Sequence, residues 1–164
     1  DKLRVAYLDL GMGVGANDAE LVLRGLASIK ARYDLHDATA RALASWLAGQ
    51  DGISRVLHPA LESCPGHEHW ATHCSAAAGL FSVLIDESRT QAQVDAFCDR
   101  LQLFGIGLSW GGPMSLVMPY DVQSIRGGKQ SYGGHLLRFS IGLESVGDLR
   151  EDLAQALSEA LAAA

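Results

Sequence analysis

A chain of 164 residues, 48% hydrophobic and 20% charged, is long and apolar enough to bury a full core as one globular domain. Nineteen acids against thirteen bases leave a net charge of −6, without the clustered Lys and Arg that neutralise a phosphate backbone, which argues against nucleic acid as a partner. No apolar run reaches the roughly 18 to 20 residues of a membrane helix, so a membrane partner is not expected either.

Asp1 stands where an initiator methionine would, so the chain is expected to begin inside a longer product or to have been processed. Residues 3–10 alternate in a strand-like manner and lead into Gly11-Met-Gly13-Val-Gly15-Ala16. Asn17 and Asp18 can cap a helix, and leucines or alanines at three- and four-residue spacing predict one long amphipathic helix from Ala19 to about Ala48, with a break near Asp34. Residues 53–59 read as a short strand closed by Pro59, 61–66 as a loop, and 67–74 as a short helical turn. The continuous apolar run 78–86 predicts a buried strand, and 90–102 has helical spacing.

"LFGIGLS" and "MSLVMP" are two further strand candidates separated by the turn at Gly111 and Gly112. A glycine-rich loop runs from Gly127 to Gly134, "HLLRFSIGLES" carries the last strand, and residues 146–164 form a closing helix with Asp148 near its N-terminus. The expected class is α/β: a mostly antiparallel sheet of four to five strands, covered by helices and preceded by a long linking helix.

Three groups of residues invite chemistry. The glycines 11–15 resemble a dinucleotide fingerprint, but no second strand ending in an acid follows at the required distance, so they are read as a hinge. Cys64, His67, His69, His73 and Cys74 lie close together, yet their spacing lacks the paired short loops of structural zinc sites; no metal is expected, and the histidines are read as packing around Trp70. The odd cysteine count, with Cys98, suggests reduced thiols and a cytoplasmic protein.

The third group is Arg138 with Ser109 and Trp110. Arg138 interrupts an otherwise buried strand, on the face shared by Leu136 and Ser140. A permanent planar cation at a sheet edge suits a carboxylate or phosphate, the alternative being a structural salt bridge. Ser109 and Trp110 stand at a strand end before flexible glycines, where a hydroxyl and a backbone donor can join the guanidinium around one carboxylate. No nucleophile and base stand together around them, so the chemistry must come from elsewhere.

"LRGLASIKAR", "HPALESCPGH", "GLFSVLI", "GLSWGG" and "RFSIGLE" occur in an order that resembles the C-terminal part of the pyridoxal-phosphate-dependent enzymes of Cys/Met metabolism, over nearly the whole chain. The resemblance implies the small domain of a fold-type I enzyme at 17–164, with 1–16 as the junction from a pyridoxal-phosphate-binding large domain. Trp110 in Ser-Trp-Gly-Gly is similar to the β-lyase branch, where γ-acting members usually carry leucine; this implies cleavage of cystathionine to homocysteine, pyruvate and ammonia by a homotetramer. Arg138 then matches the arginine that grips the substrate carboxylate, and Ser109 and Trp110 match its helpers.

The Schiff-base lysine, expected in a Ser-x-Thr-Lys motif, has no counterpart among Lys2, Lys30 and Lys129, so the segment alone is expected to be inactive. Pro113-Met114 departs from the usual aromatic or aliphatic residue followed by glutamate, a difference bearing on substrate preference. The alternatives are a γ-synthase or γ-lyase relative, a cysteine-S-conjugate lyase, or a carboxylate-binding module without chemistry.

Overall fold

The computed structural model describes residues 2–11, 13–127 and 133–161, so Lys129 and most of the glycine-rich loop before the last strand lie outside the described residues. The chain divides into two compact units, Asp1–Arg32 and Tyr33–Ala164.

The first unit holds α1 (Lys2–Asp9), α2 (Ala16–Leu26) and the start of α3 (Ile29–Leu47). Residues 3–10, strand-like in sequence, are therefore almost entirely helical. A strand needs a neighbouring ladder for its backbone groups, and none lies in this unit among the described residues, whereas a helix closes its own bonds. α2 starts behind Gly15 with no side-chain cap, leaving Asn17 and Asp18 inside its first turn. The predicted single helix is two, and the break falls at Ala27–Ser28 instead of near Asp34. There the Gly25 carbonyl accepts from the Ser28 N–H at 3.3 Å and from Arg32 Nη2 at 2.8 Å, which satisfies the end of α2.

The second unit contains a five-stranded sheet of β1 (Ile53–Leu57), β2 (Leu80–Ile85), β3 (Gly105–Ile106), β4 (Leu116–Tyr120) and β5 (His135–Ser140), in the order β1-β2-β5-β4-β3. Three pairings are antiparallel and β3–β4 is parallel, so the sheet is mixed though mostly antiparallel. The Gly111-Gly112 turn consequently does not close a hairpin. β5 is the central strand, which corrects the expectation that Arg138 sits at a sheet edge.

Phe81 and Val83 on β2, Leu137 and Phe139 on β5, and Val117 on β4 share one face and are all buried. They form one cluster with Leu43 and Leu47 of α3, Val94 and Phe97 of α5 (Gln91–Arg100), and Leu149 and Leu153 of α7 (Val146–Ala160). Phe139 stacks on Phe81 at 5.4 Å and meets Phe104 edge-on at 5.5 Å. These contacts pin the register of β5. A slip by one residue would drive Arg138 into the core and Phe139 out of it.

α5 begins with a capping box: Thr90 Oγ1 accepts from the Gln93 N–H, and Gln93 Oε1 accepts from the Thr90 N–H. Beyond its end, the buried Asp152 of α7 accepts from the N–H groups of Gln102 and Leu103, the latter at 2.8 Å, fixing the segment that enters β3. α4 (His67–His73) and the short α6 (Val122–Ile125) complete the unit.

Candidate functional site

Arg138 rises from β5 on the face opposite Leu137 and Phe139, with Ser82 and Met118 directly across from it on the neighbouring strands. Tyr120 is the diagonal neighbour of that register, and its ring lies 5.7 Å from the guanidinium carbon. Nη2 donates to three successive carbonyl oxygens: Gly107 at 3.4 Å, Leu108 at 2.8 Å and Ser109 at 3.2 Å. Nε is buried without a hydrogen-bond partner among the described residues. Among the described residues no carboxylate pairs with Arg138, so the salt-bridge alternative finds no acid there. The cation is oriented by dipoles and one aromatic face, but not neutralised.

This cradle also explains why the predicted strand 103–109 shrinks to Gly105–Ile106. After the Gly107 N–H donates to Val117 at 3.2 Å, the backbone leaves the ladder and its carbonyls turn to the arginine. Arg138 and the Ser109–Trp110 segment are thus brought together as expected. The contact from Ser109 is its carbonyl, however, and not the hydroxyl or backbone donor that the sequence suggests. Trp110 is 65% exposed and Met114 68%, so the indole does not fill the turn.

Two residues of this site went unread in the sequence. Ser115, fully buried, donates its N–H to Glu144 Oε1 at 2.7 Å and its hydroxyl to Glu144 Oε2 at 2.8 Å, while its Oγ accepts from the Gly142 N–H at 2.9 Å. A glutamate just after the strand-ending glycine of "SIGLE" was the available signal.

A second polar corner lies around α3. Arg41 donates to both Asp37 oxygens, at 2.8 and 3.2 Å, and lies 5.0 Å from the Trp70 ring centre. Burial raises the Asp37 carboxyl, but the Arg41 bonds, the Ala77 N–H at 2.5 Å and the charges of Arg41 and His58 outweigh it, and the net direction is down. His58 is fully buried, and burial with the nearby Arg41 charge pushes its imidazole down against the opposing pull of Asp37. Its Nδ1 accepts from the Ala60 N–H at 3.2 Å while Nε2 has no partner among the described residues.

The residues of the zinc-like stretch separate. His67 Nδ1 donates to the Pro59 carbonyl at 2.9 Å and its ring packs on a half-buried Trp70, whereas His69, His73 and Cys74 are exposed. Among the described residues no three metal-capable side chains gather. Cys64, Cys74 and Cys98 are free thiols, and burial lifts the Cys98 thiol to about 11.

The chain matches the family model described as "Cys/Met metabolism PLP-dependent enzyme" over residues 1–158. It is 38% identical to "Cystathionine beta-lyase" of Salmonella typhimurium, over 91% of this chain and 38% of that protein. It is 36% identical to "L-alanine/L-glutamate racemase" of Wolbachia pipientis wMel, over 93% of this chain and 38% of the relative. Among solved structures it resembles cystathionine gamma synthase from Xanthomonas oryzae pv. oryzae in complex with aminoacrylate and cysteine, at a TM-score of 0.81 and 34% identity, covering 94% of this chain and 41% of that one. The chain thus spans about two fifths of the length of the relatives it matches. With the family model matched almost from end to end, this chain belongs to the Cys/Met metabolism enzymes that depend on pyridoxal phosphate.

Proposed function

We propose that this chain is the C-terminal small domain, 17–164 with a junction at 1–16, of a cytoplasmic homotetrameric carbon–sulfur β-lyase that, with one water, cleaves L-cystathionine to homocysteine, pyruvate and ammonia. The observation that carries the reading is Arg138: a guanidinium held at fixed orientation by three carbonyls, without a counter-charge among the described residues, suits a substrate α-carboxylate.

The described residues do not fit a seat for pyridoxal phosphate: Lys2 and Lys30 stand at exposed helical positions in the first unit. That cofactor, held by a large domain, supplies the electron sink for eliminations at an amino acid's Cβ. What this chain contributes is orientation. Arg138 grips the carboxylate, Ser109 assists beside it, and Trp110 forms a wall that aligns the bond to be broken. The γ-synthase and racemase relatives share the need for a carboxylate grip, so Arg138 supports the reaction class, and the choice of β-cleavage rests on Trp110.

The test is product analysis by the full-length enzyme given cystathionine. Pyruvate should exceed 2-oxobutyrate by at least about tenfold. Dominant 2-oxobutyrate would assign it to γ-elimination; binding without either product would leave a carboxylate-binding module.

A further inference from the structure

One end of the Trp110 loop is held by the strand that carries Arg138 and the other by the turn that follows it. At the near end, Arg138 Nη2 binds the carbonyls of Gly107, Leu108 and Ser109. At the far end, the turn following β5 clasps residues 113–115: the Leu143 N–H donates to the Pro113 carbonyl at 2.9 Å, and the Gly142 N–H to Ser115 Oγ at 2.9 Å. Glu144 completes the clasp by taking both the N–H and the hydroxyl of Ser115, at 2.7 and 2.8 Å. Gly142 is packed so closely that a Cβ there would collide with the Pro113 carbonyl and with Glu144 Oε2.

Between the anchors the chain has little else to define it. Gly111 adopts φ +71°, and a Cβ on either Gly111 or Gly112 would meet nothing within 4 Å. The position of the loop that carries Trp110, relative to the guanidinium, is therefore decided by where the anchors stand. Two short bonds from one carboxylate to two atoms of one residue fix both its position and its rotation. We infer that Glu144 is a positioning residue, acting through Ser115 to set the Trp110 loop against Arg138 and so to set affinity for the substrate carboxylate. This rests on the reading of Arg138 as the carboxylate grip.

The experiment uses the full-length enzyme loaded with pyridoxal phosphate and compares Glu144→Gln, Ser115→Ala, their combination, Arg138→Lys and Asp152→Asn. Asp152 is the comparator because it is another carboxylate that accepts backbone N–H groups in this unit, away from the loop. Glycine serves as a probe with a carboxylate and no side chain, its binding read from the cofactor's absorbance. Glu144→Gln should raise KM for cystathionine and Kd for glycine by about tenfold, with kcat changed less than about threefold. Ser115→Ala, which keeps its backbone bond to the glutamate, should do the same, and the double variant should be no worse than the stronger single. Asp152→Asn should lower Tm while leaving KM and the glycine Kd unchanged.

A Glu144→Gln enzyme with lowered Tm but ordinary KM and glycine Kd overturns the inference, as do additive effects of the two substitutions. If Arg138→Lys also leaves glycine binding unchanged, the carboxylate-grip reading fails first, and the positioning role with it.

Discussion

Two arginines of the second unit are built alike and end differently. Arg41 on α3 lies over Trp70 and meets Asp37 with a two-point carboxylate contact one helical turn away; Arg138 on β5 lies over Tyr120 and, among the described residues, donates only to carbonyls. A carboxylate neutralises a guanidinium as it orients it, whereas carbonyl dipoles orient it and leave the charge unspent. The Arg41 corner is therefore architecture, joining α3 to the segment before β2. The Arg138 corner has no counter-charge among the described residues, which is what its proposed role as a carboxylate grip requires.

The largest expected effect breaks the comparison directly. In the full-length enzyme Arg138→Lys should cost about 2 to 4 kcal/mol in kcat/KM, because an ammonium cannot reproduce a planar two-point grip, with cofactor absorbance intact. Arg41→Lys should lower Tm and leave kcat/KM within about twofold. Reversal of that pattern would exchange the roles of the two corners.

Asp37→Asn should destabilise by about 1 to 3 kcal/mol at neutral pH, since the Arg41 and Ala77 donors lose a charged acceptor. Asp37 has a lowered carboxyl in the folded state, so its contribution is present above the ordinary value of 3.8 and is lost as pH falls through the lower folded value. Denaturation curves for the two proteins should therefore converge only below about pH 3.8. Convergence already at pH 5 would show that the pair contributes little.

Trp110→Leu sharpens the other side. An indole so exposed should leave stability within about 0.5 kcal/mol, while the ratio of pyruvate to 2-oxobutyrate falls by about tenfold, equivalent to about 1.4 kcal/mol. An unchanged ratio would remove the residue that favours β-cleavage.

The smallest effect concerns His58. Its imidazole is held below the ordinary 6.5 in the folded state, so the unfolded chain takes up the proton first and stability declines as pH drops below 6.5. His58→Phe should flatten that part of the stability–pH curve, and equal slopes in both proteins would show that other groups govern it.

Hydrophobic period and turn chemistry carried most of the second unit without help from tertiary contacts. The apolar run 78–86, the alternation through Leu137 and Phe139, and the helical spacing of 90–102 are local signals, and each led to the observed element. Arg138 was legible as a candidate because a cation inside such a strand breaks the pattern. The Ser109 segment beside it was legible too, but not the contact it makes, since the partners are carbonyls, which every residue possesses and no sequence displays. The clasp of Ser115 by Glu144 joins segments far apart in the chain, and a buried serine reads like any other. Residues 3–10 and the two-residue β3 were misjudged for one shared reason. Alternation and apolar character permit a strand, but only a neighbouring ladder makes one: α1 has none among the described residues, and beyond Gly107 the arginine takes the carbonyls that a longer β3 would have offered to β4.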